Sequence, residues 1–145
     1  MEQLAAIYER AKQVRLVLFD VDGVLTDGSL YIGANGEEYK AFYARDGLGM
    51  KLLQNSGIEI GIITGRSAAV VEHRMASLGI QHVYQGQSHK LPALRDICQQ
   101  LQLDFAQVAY MGDDVNDIAV LRQVGLAVTV ADAHALLAQY VHWQT

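Results

Sequence analysis

The chain has 145 residues, 51% hydrophobic and 19% charged, with a single Pro. That balance predicts one globular domain over 1–145 and excludes a disordered tail, a fibrous repeat or two full cores. Eleven basic against sixteen acidic side chains leave a net charge of −5, which argues against a nucleic-acid partner.

Residues 1–13 read as an amphipathic helix with Leu4, Ile7, Tyr8 and Ala11 on one face. The amino end lacks a basic-then-apolar leader, and no uncharged stretch approaches the ~20 apolar residues a bilayer requires. No membrane partner is therefore expected, and cytoplasm is the expected location. Val14–Phe19 is a short branched apolar run, the pattern of a strand buried on both faces. Residues 29–43 then break the rhythm, because Leu30–Ile32, an Asn35-Gly36 turn and Glu38–Tyr43 read as a β-hairpin. Tyr31, Tyr39 and Phe42 make that ribbon too apolar to stand alone in water, which points to a subunit contact.

Further strands are predicted at Glu59–Thr64, Gln81–Tyr84, Val108–Met111 and Leu126–Val130. Helical stripes lie between them. They comprise Met50, Leu52 and Leu53; Val70, Val71, Met75 and Leu78; Leu94, Ile97, Cys98 and Leu101; and Ile118, Leu121 and Val124. Gly57, Gly79 and Gly125 stand where left-handed helix caps are expected. Cys98, the single cysteine, belongs to a core stripe and can form neither an internal disulfide nor a thiolate metal site. The five histidines lack metal-ligand spacing. The alternation predicts an α/β fold, a doubly wound parallel sheet with helices on both faces.

In such sheets ligands bind beyond the carboxyl ends of the strands. The first predicted strand ends in Asp20-Val21-Asp22-Gly23, the second in Thr64-Gly65-Arg66, and the fourth in Gly112-Asp113-Asp114-Val115-Asn116-Asp117. Lys90 opens the helix after the third. Aspartates crowded at one rim repel by roughly 4 kcal/mol per pair at ~4 Å and an effective dielectric of about 20. They therefore need a cation or raised pKa values, and an all-oxygen donor set favours Mg²⁺. Metal, ammonium, hydroxyl and backbone amides together suit a phosphoryl group. One of the paired carboxylates can attack phosphorus while the other transfers a proton.

DVDGVLTD, TGR, a lone Lys and GDDVND, in this order, resemble the four motifs of the haloacid dehalogenase superfamily. Within it, KAFYARDGLGMKLL, IITGR, YQGQSHK and TVADAH resemble the 3-deoxy-D-manno-octulosonate 8-phosphate phosphatase family. The resemblance spans residues 14–141 and implies a Mg²⁺-dependent phosphomonoesterase without a large cap domain, tetrameric through its hairpins. It implies Asp20 as nucleophile and metal ligand, and Asp22 as general acid/base with its carbonyl on the metal. It makes Asp113 the third ligand, Thr64 a phosphoryl contact and Lys90 a partner of Asp20. Asp114 and Asp117 would support metal-bound waters or Lys90. Sugar-acid contacts would come from Tyr43, Ala44, Arg45, Asp46, Gly47 and Lys51. Arg66 and Arg74, eight apart and expected on one helix face, would flank a carboxylate.

Three departures from the family pattern stand out. Tyr43 replaces the usual Asn, and Lys51 replaces a frequent Arg, losing bidentate geometry. The family also continues past the position of Thr145 with a Gly- and Arg-containing tail that reaches a neighbouring subunit's site, which bears on substrate closure. The alternatives are a neuraminate-type 9-phosphate as substrate, a non-catalytic scaffold, and a phosphoacceptor receiver domain. Receivers, however, carry an adjacent acidic pair after the first strand and their acceptor aspartate mid-chain.

Overall fold

The apolar run after Val14 forms β1, Leu16–Phe19, at the centre of the sheet. In the computed structural model, which describes residues 3–145, β1 pairs in parallel with β4 (Glu59–Ile63) on one side and β6 (Val108–Gly112) on the other. β5 (His82–Tyr84) continues outward from β4, and β7 (Leu126–Thr129) and β8 (Trp143–Gln144) continue from β6. With the hairpin set aside, the strand order is 3-2-1-4-5-6. Receiver domains have the order 2-1-3-4-5, so that reading is excluded. β8 is an addition to the predicted set.

Helices cover both faces, as the strand pattern requires. Leu16, Leu18, Ile63 and Tyr110 pack with Leu94, Ile97 and Cys98 of α4 (Leu91–Leu101) and Leu121 of α5 (Ile118–Leu121). On the other face Ile60 and Ile62 pack with Met50 of α2 (Ala44–Asn55) and with Val71 and Met75 of α3 (Ala69–Ser77). Ile7 of α1 (Leu4–Ala11) packs with Val14, Leu126 and Val128.

Several expectations need correction. Of the expected α1 face only Ile7 is buried, while Leu4 and Tyr8 are exposed; Met1 and Glu2 lie outside the described residues. Leu52 of α2 is exposed as well. Gly57 and Gly79 do follow their helices at positive φ, but Gly125 is not left-handed. It is needed because a Cβ there would overlap the carbonyl of Ala106. α4 ends instead on Gln102 in the left-handed region.

The hairpin forms a separate antiparallel pair, β2 (Tyr31–Ile32) and β3 (Glu38–Tyr39), with Gly36 at φ 83° in its turn. Tyr31, Ile32 and Tyr39 are exposed, whereas Phe42 leaves the ribbon and packs on the α2–α3 side of the core. Among the described residues no helix is long and apolar enough to cross a membrane.

Candidate active site

The parallel topology brings the ends of β1, β4 and β6 to one edge, and a cavity of about 280 Å³ opens there. Its walls include Asp20 and Asp22 after β1, Thr64 and Arg66 after β4, and Asp113 and Asp114 after β6. Gly28, Leu30, Gly65 and Asn116 complete the lining.

Asp20 is nearly buried, and its Oδ1 accepts the Val21 amide at 2.7 Å. Lys90, directly before α4, reaches the same oxygen at 3.2 Å with its side chain fully buried. The ammonium also donates to Asp117 Oδ1 at 2.6 Å and to the Tyr110 hydroxyl at 3.1 Å. Tyr110 in turn donates to Asp117 Oδ1. The other Asp117 oxygen accepts the amides of Asp113 and Asp114, at 2.9 and 3.1 Å. Asp117 therefore uses both oxygens inside the protein, holding Lys90 with one and shaping the turn of GDDVND with the other. Asp114 caps the short 3₁₀ turn Val115–Asp117 by accepting the Val115 amide at 2.7 Å, while also lining the cavity.

Backbone bonds fix the remaining parts. The Thr64 amide donates to the Tyr84 carbonyl at 2.9 Å and its carbonyl accepts from Gln87 at 3.0 Å, which ties the β4 end to the loop carrying Lys90. Thr129 Oγ1 donates to the Gly112 carbonyl at 2.6 Å, and the His134 amide donates to that of Asp113 at 2.9 Å.

Carboxylate oxygens of Asp20, Asp113 and Asp117 lie within 4.8 Å of one another. Burial, together with the charges of Asp20 and Asp117, pushes the Asp113 carboxyl up to about 7. Burial also raises Asp20, against the opposing pull of Lys90. A divalent cation would relieve that repulsion, and the donors are hard oxygens of the kind Mg²⁺ takes. Since Asp117 is committed to Lys90, Tyr110 and two amides, Asp20 and Asp113 are the carboxylates with capacity for an ion.

The residues expected to touch the sugar acid divide. Arg66 lines the cavity and donates to Glu38 of the hairpin. It precedes α3, which begins at Ala69, so it shares no helix face with Arg74. Arg74 instead lies over the Phe42 ring, 5.9 Å from its centroid, and against Gly47. Arg45 and Asp46 line a neighbouring cavity of about 410 Å³ with Val24, Leu25 and Met50. Tyr43 is exposed, with the Arg45 guanidinium 5.6 Å from its ring centroid. Ala44 and Lys51 are exposed, and neither lines these cavities.

Two polar residues near the site escaped the sequence reading. Tyr110 sits in β6 as a fully buried phenol, and a buried hydroxyl needs a partner. Lys40 follows β3, and its ammonium donates to Asp22 Oδ1 at 2.6 Å. Tyr110, three residues before Asp113, offered the one usable signal, a polar-tipped residue in a core strand.

The model of the haloacid dehalogenase-like hydrolase family matches residues 79–145. The 3-deoxy-D-manno-octulosonate 8-phosphate phosphatase KdsC of Escherichia coli is 53% identical over 133 residues, covering 92% of this chain and 71% of that protein. The crystal structure of 3-deoxy-D-manno-octulosonate 8-phosphate phosphatase from Yersinia pestis matches with a TM-score of 0.94 and 51% identity, covering 97% of this chain and 76% of that one. The Moraxella catarrhalis phosphatase, in complex with magnesium ion, phosphate ion and a KDO molecule, gives a TM-score of 0.95 at 40% identity, covering 99% and 82%. A cobalt-bound form from Haemophilus influenzae gives 0.90 at 37% identity, covering 93% and 79%.

Proposed function

We propose that this chain, which belongs to the haloacid dehalogenase-like hydrolases and within them to the 3-deoxy-D-manno-octulosonate 8-phosphate phosphatases, hydrolyses that sugar-acid phosphate with Mg²⁺. The observation that carries the reading is the meeting of Asp20, Asp22, Thr64, Asp113 and Lys90, from four separate stretches of chain, around a single crevice.

Asp20 is the nucleophile. Its carboxylate forms an O–P bond as the ester O–P bond breaks, leaving an aspartyl-phosphate. Asp22 gives the departing alcohol oxygen its proton, then takes one from the water that attacks phosphorus and frees Asp20. Lys90, 3.2 Å from Asp20, opposes the phosphoryl charge while Asp117 holds its ammonium at 2.6 Å. Thr64 at the end of β4 offers a hydroxyl to a phosphoryl oxygen, and Arg66 presents a guanidinium to the carboxylate of the sugar acid. Asp20 and Asp113, with the Asp22 carbonyl, would hold Mg²⁺, which supplies neutralising charge for the carboxylates and the phosphoryl oxygens. Asp114 orients water at the rim.

The open mouth needs a cover, and the exposed apolar hairpin suits contact with neighbouring hairpins in a tetramer. Cytoplasm suits an enzyme whose substrate is a soluble phosphorylated sugar acid.

Phosphate release from 3-deoxy-D-manno-octulosonate 8-phosphate, from a neuraminate-type 9-phosphate and from simple sugar phosphates, each with Mg²⁺ or EDTA, tests the reading. The eight-carbon substrate turns over fastest, and EDTA stops it. Faster release from the nine-carbon ester would replace the substrate. Normal Mg²⁺ binding with no release from any ester would favour the scaffold.

A further inference from the structure

Lys40 directly follows β3 within the hairpin segment, and its side chain is only 1% exposed. An ammonium is costly to bury unless it is paired. Here Nζ donates to Asp22 Oδ1 at 2.6 Å and lies 3.4 Å from Glu38 Oε2. Glu38 accepts in turn from the Arg66 guanidinium. A chain of alternating charge, Asp22, Lys40, Glu38, Arg66, thus runs from the end of β1 through the hairpin to the cavity wall. Both middle members belong to the hairpin.

We infer that Lys40 is a positioning residue for phosphoryl transfer, holding Asp22 by Oδ1 so that Oδ2 faces the leaving oxygen. The inference rests on the reading of Asp22 as the proton donor given above. Asp22 stands just before Gly23, which takes φ 87°, so the backbone turns sharply immediately after it. Among the described residues the bond from Lys40 is the hydrogen bond that fixes the Asp22 carboxylate. Lys40 cannot swing freely, because Glu38 lies on its other side and is itself tied to Arg66. The hairpin is therefore part of its own subunit's catalytic apparatus, as well as a surface for neighbours.

A purely structural role, fastening the hairpin, would affect every ester alike. Positioning of a proton donor affects esters according to their leaving group. As the Asp20 oxygen bonds to phosphorus and the ester O–P bond breaks, an alkoxide takes the proton from Asp22 Oδ2, whereas p-nitrophenolate departs without one. The test measures kcat/KM in Mg²⁺ for the sugar-acid 8-phosphate and for p-nitrophenyl phosphate, with Lys40→Met, Lys40→Arg, Glu38→Gln and Asp22→Asn. This ratio reports the step that expels the leaving group and omits later hydrolysis of the phosphoenzyme.

Lys40→Met loses about tenfold or more on the alkyl ester, a fraction of the roughly 10²–10⁴ a general acid supplies, and stays near wild type on the aryl ester. Lys40→Arg recovers most of the loss, because it keeps the charge and the donor. Glu38→Gln, which loosens the second anchor, shows a smaller split in the same direction and carries the test if Lys40→Met fails to fold. Equal losses on both esters, or no loss on either, would overturn the inference. If Asp22→Asn itself shows no split, the assignment of the proton donor fails. If Asp22→Asn splits and the Lys40 and Glu38 variants do not, only the role of Lys40 fails.

Discussion

The carboxylate of Asp113 occupies the space that a side chain on Gly23 would need, since a Cβ there would overlap Oδ2. Gly23 also holds φ 87°, a conformation that L side chains rarely adopt. The turn after β1 therefore passes directly against the carboxylate that follows β6. Two distant motifs meet because one of them has no side chain at the crossing point.

Gly23→Ala should accordingly damage the site more than the fold. Left-handed strain costs about 1 kcal/mol or more, and the Asp113 carboxylate must shift to make room for the new Cβ. The expected outcome is a modest fall in Tm with a loss of Mg²⁺ affinity of at least ~10-fold, read by calorimetric titration. Unchanged Mg²⁺ affinity would separate Gly23 from the metal site.

The acidic cluster sets a pH signature. The Asp113 carboxyl, ordinarily at 3.8, is pushed up to about 7 by burial and by its acidic neighbours, and Asp20 is raised as well. Between those values the metal-free folded protein binds more protons than the unfolded chain. The stabilisation from these groups is thus complete below about 3.8 and is lost as pH rises through about 7. In EDTA, Tm should fall from pH 5 to pH 8 by the share these groups contribute. Mg²⁺ must displace protons at pH 5 but not at pH 8, so it should raise Tm more at the higher pH, by roughly 3–6 °C. Equal shifts at both pH values would contradict this.

Tyr110→Phe removes a buried hydroxyl that joins Lys90 to Asp117. The loss should cost about 1–3 kcal/mol in urea unfolding, because the buried Asp117 carboxyl is left with one donor fewer. Turnover should fall as Lys90 loses a constraint, while Lys90→Met should be worse on both measures for leaving two buried carboxylates unopposed. A Tyr110→Phe protein as stable and as active as wild type would make the phenol a bystander.

Replacing Tyr31, Ile32 and Tyr39 together by Ser tests the hairpin as an assembly surface. All three are half-exposed or more on a two-stranded ribbon outside the main sheet. Under the proposed hairpin assembly, the variant should scatter as a smaller species than the unaltered chain, with the main sheet intact by circular dichroism. An unchanged mass would move the interface elsewhere, and the exposed Leu48 and Leu52 of α2 are the next surface to test.

What the sequence discloses depends on how local each cause is. Runs such as Leu16–Phe19 and Leu126–Thr129 were visible as strands because burial on both faces demands unbroken apolar stretches. The polar blocks after β1, β4 and β6 are legible as one cluster because parallel strands send their carboxyl ends to a single edge. β8 was hidden, since Trp143 and Gln144 are too few to show a period and owe their conformation to pairing with β7. Lys40 was hidden for a similar reason: its partner Asp22 is 18 positions away, and nothing beside it marks its side chain as buried. The α2 stripe misled at Leu52, which carries the spacing of a core residue on a face that the monomer leaves exposed.

Trapping a phosphoenzyme on the carboxylate of Asp20 is the decisive test of the proposed nucleophile. Protein mixed with the sugar-acid 8-phosphate in Mg²⁺, acid-quenched within a turnover and digested, should carry a phosphoryl group on the peptide containing Asp20. The signal should be sensitive to hydroxylamine and absent from Asp20→Asn. Rapid phosphate release with that peptide unmodified at every quench time, or the label on another residue, would rule Asp20 out as the nucleophile.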